Sequence, residues 1–208
     1  VPDPPPSTPK VPLAHTAVDR GNPGPDYQFG YGSVRGQAAV DFMRLGQFVE
    51  DSVEQTGAFR DWTVSVPSGT PELRLTLAWD DAPGTPNVLG SLVNDLDLVV
   101  RDPLGAQSHV WTLSPSAPSA NAVQSAPDRL DNLEQVFVSA PMPGLWTIEV
   151  TGFDVPQGPQ TFSLASSHIL TDEPRLRFSF PNGLPAVLAP GVQVPVTAEI
   201  QGLNDVVV

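Results

Sequence analysis

The 208-residue sequence contains no cysteine. Disulfides, zinc–thiolate sites and thiol nucleophiles are therefore excluded. Basic residues are scarce. Ten Lys and Arg stand against 23 Asp and Glu, for a net charge of −13. That balance argues against nucleic acid and against anionic membranes as partners, and it is compatible with calcium. No apolar run approaches the length of a transmembrane helix. The N-terminus lacks the basic-then-apolar layout of a signal peptide, which says nothing about export if the chain is a piece of a longer one. Catalytic motifs are missing too. The three histidines, His15, His109 and His168, show no metal-binding spacing such as H-x-x-x-H. There is no G-x-S-x-G elbow, and no glycine-rich loop precedes a helix to cradle phosphate. "GNPG" and "PNG" read as turns. No nucleophile, base and orienting group can be assembled, so the chain itself is expected to be noncatalytic.

Proline is abundant, with 25 residues, and glycine contributes 17. "VPDPPPSTPK" (1–10) excludes a helix or a central strand, and the turn-rich "HTAVDRGNPGPDYQFGYG" (15–32) follows. The spacing of Val34, Ala38, Phe42, Leu45 and Val49 predicts one helix over 33–49, with Ala39 and Met43 beside the stripe and Ser33 as N-cap. From Phe59 the period changes to two. Trp62, Val64 and Val66 alternate, then Leu73, Leu75, Leu77 and Trp79. Further alternating runs lie at 92–100, 109–113, 133–140, 145–152 and 161–168. Short alternating strands punctuated by Pro and Gly predict a mainly β fold, an antiparallel β-sandwich of jelly-roll type, with one N-terminal helix. Trp62, Trp79 and Trp146 fall on the apolar face and read as core, whereas the direction of Trp111 is ambiguous. The polar loop "SPSAPSANAVQSAPD" (114–128) is either a surface excursion or a ligand-bearing one. A second break falls near "TDEP" (171–174). Beyond it, "RLRFSF" (175–180) and "VQVPVTAEI" (192–200) are two candidate strands, too few to close a domain. They either add to the sandwich or begin a further β-domain.

The run "LVNDLDLVV" (92–100) sends Leu96, Leu98 and Val100 to one face and Asp95 and Asp97 to the other. Strands disfavour Asp, and two on one face repel. They belong to a wider set of acids and amides at strand ends. Asp80 and Asp81 follow Trp79, Asn94 precedes Asp95, and Asp128, Asp131, Asn132 and Glu134 gather before "QVFV". Hard oxygen ligands of this kind suit Ca²⁺ and do not suit zinc or copper. A solvated acidic face is the alternative.

Four stretches resemble a known family. "LAHTAVDRGNPGPDYQFGYGSVRGQAAV" (13–40) resembles the end of the catalytic domain of the subtilisin-like serine peptidases, or subtilases. There a segment ending in T-A is followed by a glycine-rich turn, "GPDYQFGYG" here, and by the last helix. "LTLAWDDAP" (75–83), "LVNDLDLVVRDPLGA" (92–106) and "DRLDNLEQVFVSAPMPGLWTIEVTGFDVPQGPQTFSLA" (128–165) resemble the P-domain-like jelly roll that follows that domain in large alkaline subtilases. The resemblance spans roughly residues 10 to 168. One departure is Arg35–Gly36, where the family helix opens with a small or acidic pair. The family's catalytic residues do not carry over, because "SGTPE" (68–72) and "PGTPN" (83–87) lack the serine of a G-T-S-M-A motif.

The resemblance implies the tail of a catalytic domain over 1–50, a jelly roll over 51–170, and the start of an additional β-domain, or added strands, over 171–208. It also implies that the acidic set, Asp80, Asp81, Asn94, Asp95, Asp97, Asp131, Asn132 and Glu134, holds structural Ca²⁺. The expected function is that of a noncatalytic C-terminal accessory domain of a secreted, bacterial serine endopeptidase. Its expected partners are the catalytic domain in cis and the parent's protein substrate, with no nucleic acid and no membrane. The alternative is a free-standing β-sandwich module that binds carbohydrate or protein.

Overall fold

The computed structural model describes residues 5–86 and 92–172, together with strands at 175–179 and 197–201. The chain divides into two compact units, Val1–Thr171 and Asp172–Val208. The first holds helices α1 (Ser7–His15) and α2 (Gly36–Arg44) and strands β1 (Phe48–Val53), β2 (Phe59–Val66), β3 (Glu72–Trp79), β4 (Asp95–Arg101), β5 (Gln107–Ser108), β6 (Leu133–Ser139), β7 (Gly144–Asp154), β8 (Gln160–Ser166) and β9 (Leu170–Thr171). In the second, β10 (Arg175–Ser179) pairs antiparallel with β11 (Thr197–Gln201). Of the strands expected beyond the break, residue 180 and residues 192–196 lie outside the described residues.

The strands of the first unit form two antiparallel sheets, ordered β1-β8-β3-β6 and β5-β4-β7-β2-β9. Period-two alternation turns one row of apolar side chains from each strand toward the other sheet. Leu75 and Leu77 of β3, Leu98 and Val100 of β4, Ile148 and Val150 of β7, and Phe162 and Leu164 of β8 meet in one cluster. Burial of each such side chain is worth about 1.5–3 kcal/mol. The expected mainly β sandwich is the observed fold. Trp62, Trp79 and Trp146 are core residues, each at most 4% exposed.

Three local expectations need correction. First, the proline-rich start is helical from Ser7. Pro9 sits in the first turn of α1, where backbone N–H groups have no intrahelical acceptor in any case, so its missing donor costs little there. Pro12 does remove an internal bond, and the helix survives because it is buried on the sandwich. Val11 is fully buried, in one cluster with Ala78 and Ala165.

Second, α2 covers 36–44 and not 33–49. Ser33 is no N-cap, since its backbone bridges Val18. Gly46, at φ +65°, ends the helical segment in the left-handed conformation that glycine tolerates. Phe48 and Val49 then enter β1 opposite Ala165 and Leu164. Third, residues 109–113 form no regular strand. β5 precedes them, Trp111 N–H donates to Gln135 O at 2.9 Å, and Thr112 bridges Val123.

Candidate functional site

The eight candidate residues separate into three neighbourhoods, two of them organised by a basic side chain. Around Lys10, the sole lysine of the chain, lie Asp80, Asp131 and Asn132. Lys10 Nζ donates to Asn132 Oδ1 at 2.7 Å. Burial lowers the Lys10 pKa, with Asp80 and Asp131 pulling the other way. Burial and Asp128 raise that of Asp131, opposed by Lys10. Asp80 also accepts the Ser7 N–H at 2.9 Å, at the N-terminus of α1. It thereby caps the helix from 73 residues away in sequence. Ser7 is fully buried, so the bond has no water to replace it. Asp80→Ala should cost about 1–2 kcal/mol in a denaturant melt, and Asp80→Asn less, because the amide oxygen still accepts. Equal melting of wild type and Asp80→Ala would refute the capping role.

Asp81 and Asn94 form the second neighbourhood and fasten the β3–β4 connection. Asp81 accepts from the N–H groups of Ala82, Val93 and Asn94 at 2.8–2.9 Å. The Asn94 amide donates to Gln157 O and Gln160 Oε1, while Asn94 O accepts the Trp79 indole N–H. Every one of these bonds is internal to the loop ends and the core below them.

The third neighbourhood contains the two acids of "LVNDLDLVV". Arg129 grips Asp97 with both terminal nitrogens, one bond being Nη2 to Oδ2 at 3.0 Å and the other Nη1 to Oδ1. Its Nη1 also lies 3.4 Å from Asp95 Oδ2. A bulge explains the geometry. Asp95 pairs with Asp154 but Leu96 pairs with Gly152, so Phe153 is an extra residue in β7. Its ring lies across the guanidinium, 3.6 Å from Cζ, a cation–π contact that holds the planar group in place.

Behind this pair, Glu134 is 1% exposed. Its Oε2 accepts the Leu98 N–H at 2.6 Å, while Oε1 is buried without a partner. A cavity of about 60 Å³ lies beside Asp97 and Glu134, with His109 on its wall. Burial raises the Glu134 pKa well above the ordinary glutamate value. Asp97, Asp128 and Asp95 raise it further, against the Leu98 hydrogen bond. Asp95 is pushed up to about 6 by burial, which outweighs Arg129, and by its acidic neighbours. For Arg129, the acids around it outweigh burial and raise its pKa.

Among the described residues, no group of three or more His, Asp or Glu side chains is arranged to hold a metal ion. The orphaned Glu134 oxygen is buried, and the charges of Asp97, Asp128 and Asp95 act on it. Lys10 and Arg129 are the residues that sequence reasoning missed. One signal was available for both. In a chain with only ten basic residues, Lys10 is the sole lysine and Arg129 stands inside the acidic run "PDRLDNLE".

No family model matches the chain. The serine protease/ABC transporter B family protein tagB of Dictyostelium discoideum is 31% identical over 98 residues, which are 45% of this chain and 5% of that protein. The match therefore spans a small fraction of that protein's length. A solved structure of the Bacillus licheniformis lipase BlEst2 in propeptide form aligns over 59% of this chain and 22% of its own, at 12% identity and a TM-score of 0.32, a likeness that carries no argument.

Proposed function

We propose that this chain is the noncatalytic β-sandwich portion of a secreted, subtilisin-like serine endopeptidase, and that it stabilises the catalytic domain in cis. One observation carries the reading: α2 and the residues around it expose large apolar side chains beside its buried face. Ala39 and Phe42 are buried, Phe42 in a cluster with Val11 and Leu133. Val40, Met43 and Leu45 turn outward, and Tyr27, Phe29 and Val34 lie just ahead of them. These six are 38–66% exposed. A concentration of large apolar side chains of this kind marks a surface made to pack against something. The segment 13–40 that carries several of them is the one resembling the end of a subtilase catalytic domain. The partial similarity to a Dictyostelium protein whose name begins with serine protease agrees with that partner.

Calcium is the proposed structural cation. Asp95, Asp97 and Glu134 would have to move together to hold it, since they are not arranged as a ligand group in the structure, and it would supply positive charge beside the unpartnered Glu134 oxygen. Arg129 and the ion would then compete for the same carboxylates.

The test uses a protein in which the catalytic domain precedes this chain. Val40→Asp with Leu45→Asp should shorten the thermal half-life of peptidase activity. The same pair in the isolated chain should shift stability by no more than about 0.5 kcal/mol, as for exposed substitutions. An unchanged half-life would reject the docking role. The isolated chain should also leave casein intact and react with no serine-directed fluorophosphonate, and labelling of any serine in it would reject the noncatalytic reading.

A further inference from the structure

A second cavity, of about 230 Å³, lies apart from the acids, between the 17–25 turn, β3, β6 and Trp111. Its walls are largely rings: Trp111, Phe137, Tyr31, Pro23 and Pro25. Two loops close around it. Asp19 Oδ2 accepts the Gly24 N–H at 2.9 Å, and Gly24 lies so flat on the Trp111 indole that a Cβ there would come within 3.0 Å of it. Asn22 Nδ2 donates to Ser119 O at 3.3 Å, which joins the turn to the 114–128 loop.

Most polar groups at the cavity are engaged, Arg74 Nε being buried without a partner. Arg74 Nη1 donates to His15 O and its Nη2 faces Glu72, while the guanidinium sits over the Phe137 ring. Gln135 Nε2 donates to Thr76, and the Tyr31 hydroxyl donates to Leu133 O. A sugar ring needs several free hydrogen-bond partners and finds few here. An aromatic ring needs volume and apolar walls. A cavity of about 150 Å³ suffices for benzene, so this one accommodates a substituted ring. At the mouth, Asp19 is exposed, and among the described residues it has no ion-pair partner. It offers an anion to a cation, on a chain whose net charge of −13 attracts basic ligands.

We infer that the Trp111 cavity is a receptor site for one aromatic side chain of a peptide segment with a basic residue beside it. The site is independent of the protease reading, because every group it uses belongs to this chain.

The test follows the indole N–H resonance of Trp111 in the ¹⁵N-labelled chain during titration with acetyl-Phe-Arg-amide. A saturable shift is expected. Acetyl-Ala-Arg-amide should bind at least about tenfold more weakly, as for loss of a buried anchor. Acetyl-Phe-Glu-amide should bind about threefold more weakly, the scale of an exposed ion pair. Trp111→Ala, which removes the probe and is therefore followed by titration calorimetry, should abolish binding. Asp19→Asn keeps the acceptor for Gly24 N–H, so it should retain ring binding and lose the preference for arginine over glutamate. The inference is overturned by the absence of a saturable shift, by equal binding of the alanine peptide, by an equal response to methyl glucoside, or by an unaltered arginine preference in Asp19→Asn.

Discussion

Arg129→Met should lower the melting temperature by roughly 4–8 °C in excess chelator, and millimolar calcium should restore most of the loss. Methionine keeps much of the stem and its contact with the Phe153 ring but removes the charge. Asp95, Asp97, Asp128 and Glu134 are then left facing one another. Removing one partner from a fully buried pair costs about 3–5 kcal/mol. The Arg129 side chain is 34% exposed, so solvent screens part of this and about 2 kcal/mol is expected. For a domain of this size each kcal/mol is about 2–4 °C.

A cation that binds only the folded state stabilises it by about 2.7 kcal/mol at a hundredfold excess over Kd. The calcium response should therefore be larger in Arg129→Met than in wild type, because the competing guanidinium is gone. Magnesium should do much less, since it sheds its own water reluctantly. Arg129→Lys should fall between the two, with charge retained and the bidentate grip lost. If Arg129→Met melts like wild type in chelator, Arg129 is not the counter-ion. If calcium moves neither protein, the proposed structural ion is rejected and the acids are a face neutralised from within.

The sandwich was legible because its strands obey one rule throughout. Leu73, Leu75 and Leu77 alternate with polar neighbours, and nothing local competes with that pattern. The helices were harder because tertiary contacts decided them. Propensity argues against a helix through Pro9 and Pro12, yet burial of Val11 and the remote cap from Asp80 hold one there. Val49 fits a helical stripe as well as it fits a strand, and pairing with Leu164 determines which. At the acidic site, the sequence disclosed which residues carry the charge but not how it is neutralised. Asp95 and Asp97 were legible as an anomaly in a strand. Their partner Arg129 lies more than thirty residues away, and its position depends on a bulge that turns Phe153 onto it. Glu134 looked like the other acids, and its burial follows from the register of β6 on β3.

Glu134→Gln should stabilise the protein at pH 8 in chelator by about 1–3 kcal/mol, the cost of a buried polar group left unsatisfied. At pH 5 the gain should be much smaller. The sign follows from proton binding. Glu134 has a folded-state pKa raised well above its ordinary 4.5, and Asp95 is raised from 3.8 to about 6. The folded state therefore holds more protons than the unfolded one above about pH 4, and stability falls as pH rises through these folded values. The Asp95 share is lost by about pH 6, and the Glu134 share continues to fall above it. His15 acts in the opposite direction. Burial, with Arg74 nearby, lowers its pKa from 6.5 to about 3, so its contribution is full above pH 6.5 and is lost as pH falls below.

Between about pH 4.5 and 6 the His15 gain offsets only one of the two carboxyl losses, so on these three groups wild type should lose stability from about pH 4.5 upward. Glutamine keeps an acceptor for the Leu98 N–H and has no proton to lose, so it should flatten the alkaline limb and leave the His15 limb unchanged. Calcium reverses the comparison. It holds Glu134 ionised, so with calcium in excess the wild type should gain stability at pH 8 and the Gln variant should gain much less. The measurement is a set of four melts of each protein, at pH 5 and pH 8, with chelator and with calcium. A Gln variant less stable than wild type at pH 8 in chelator would mean that Glu134 is already ionised and paired there, and that Arg129 reaches farther into the cluster than its bonds to Asp95 and Asp97 indicate.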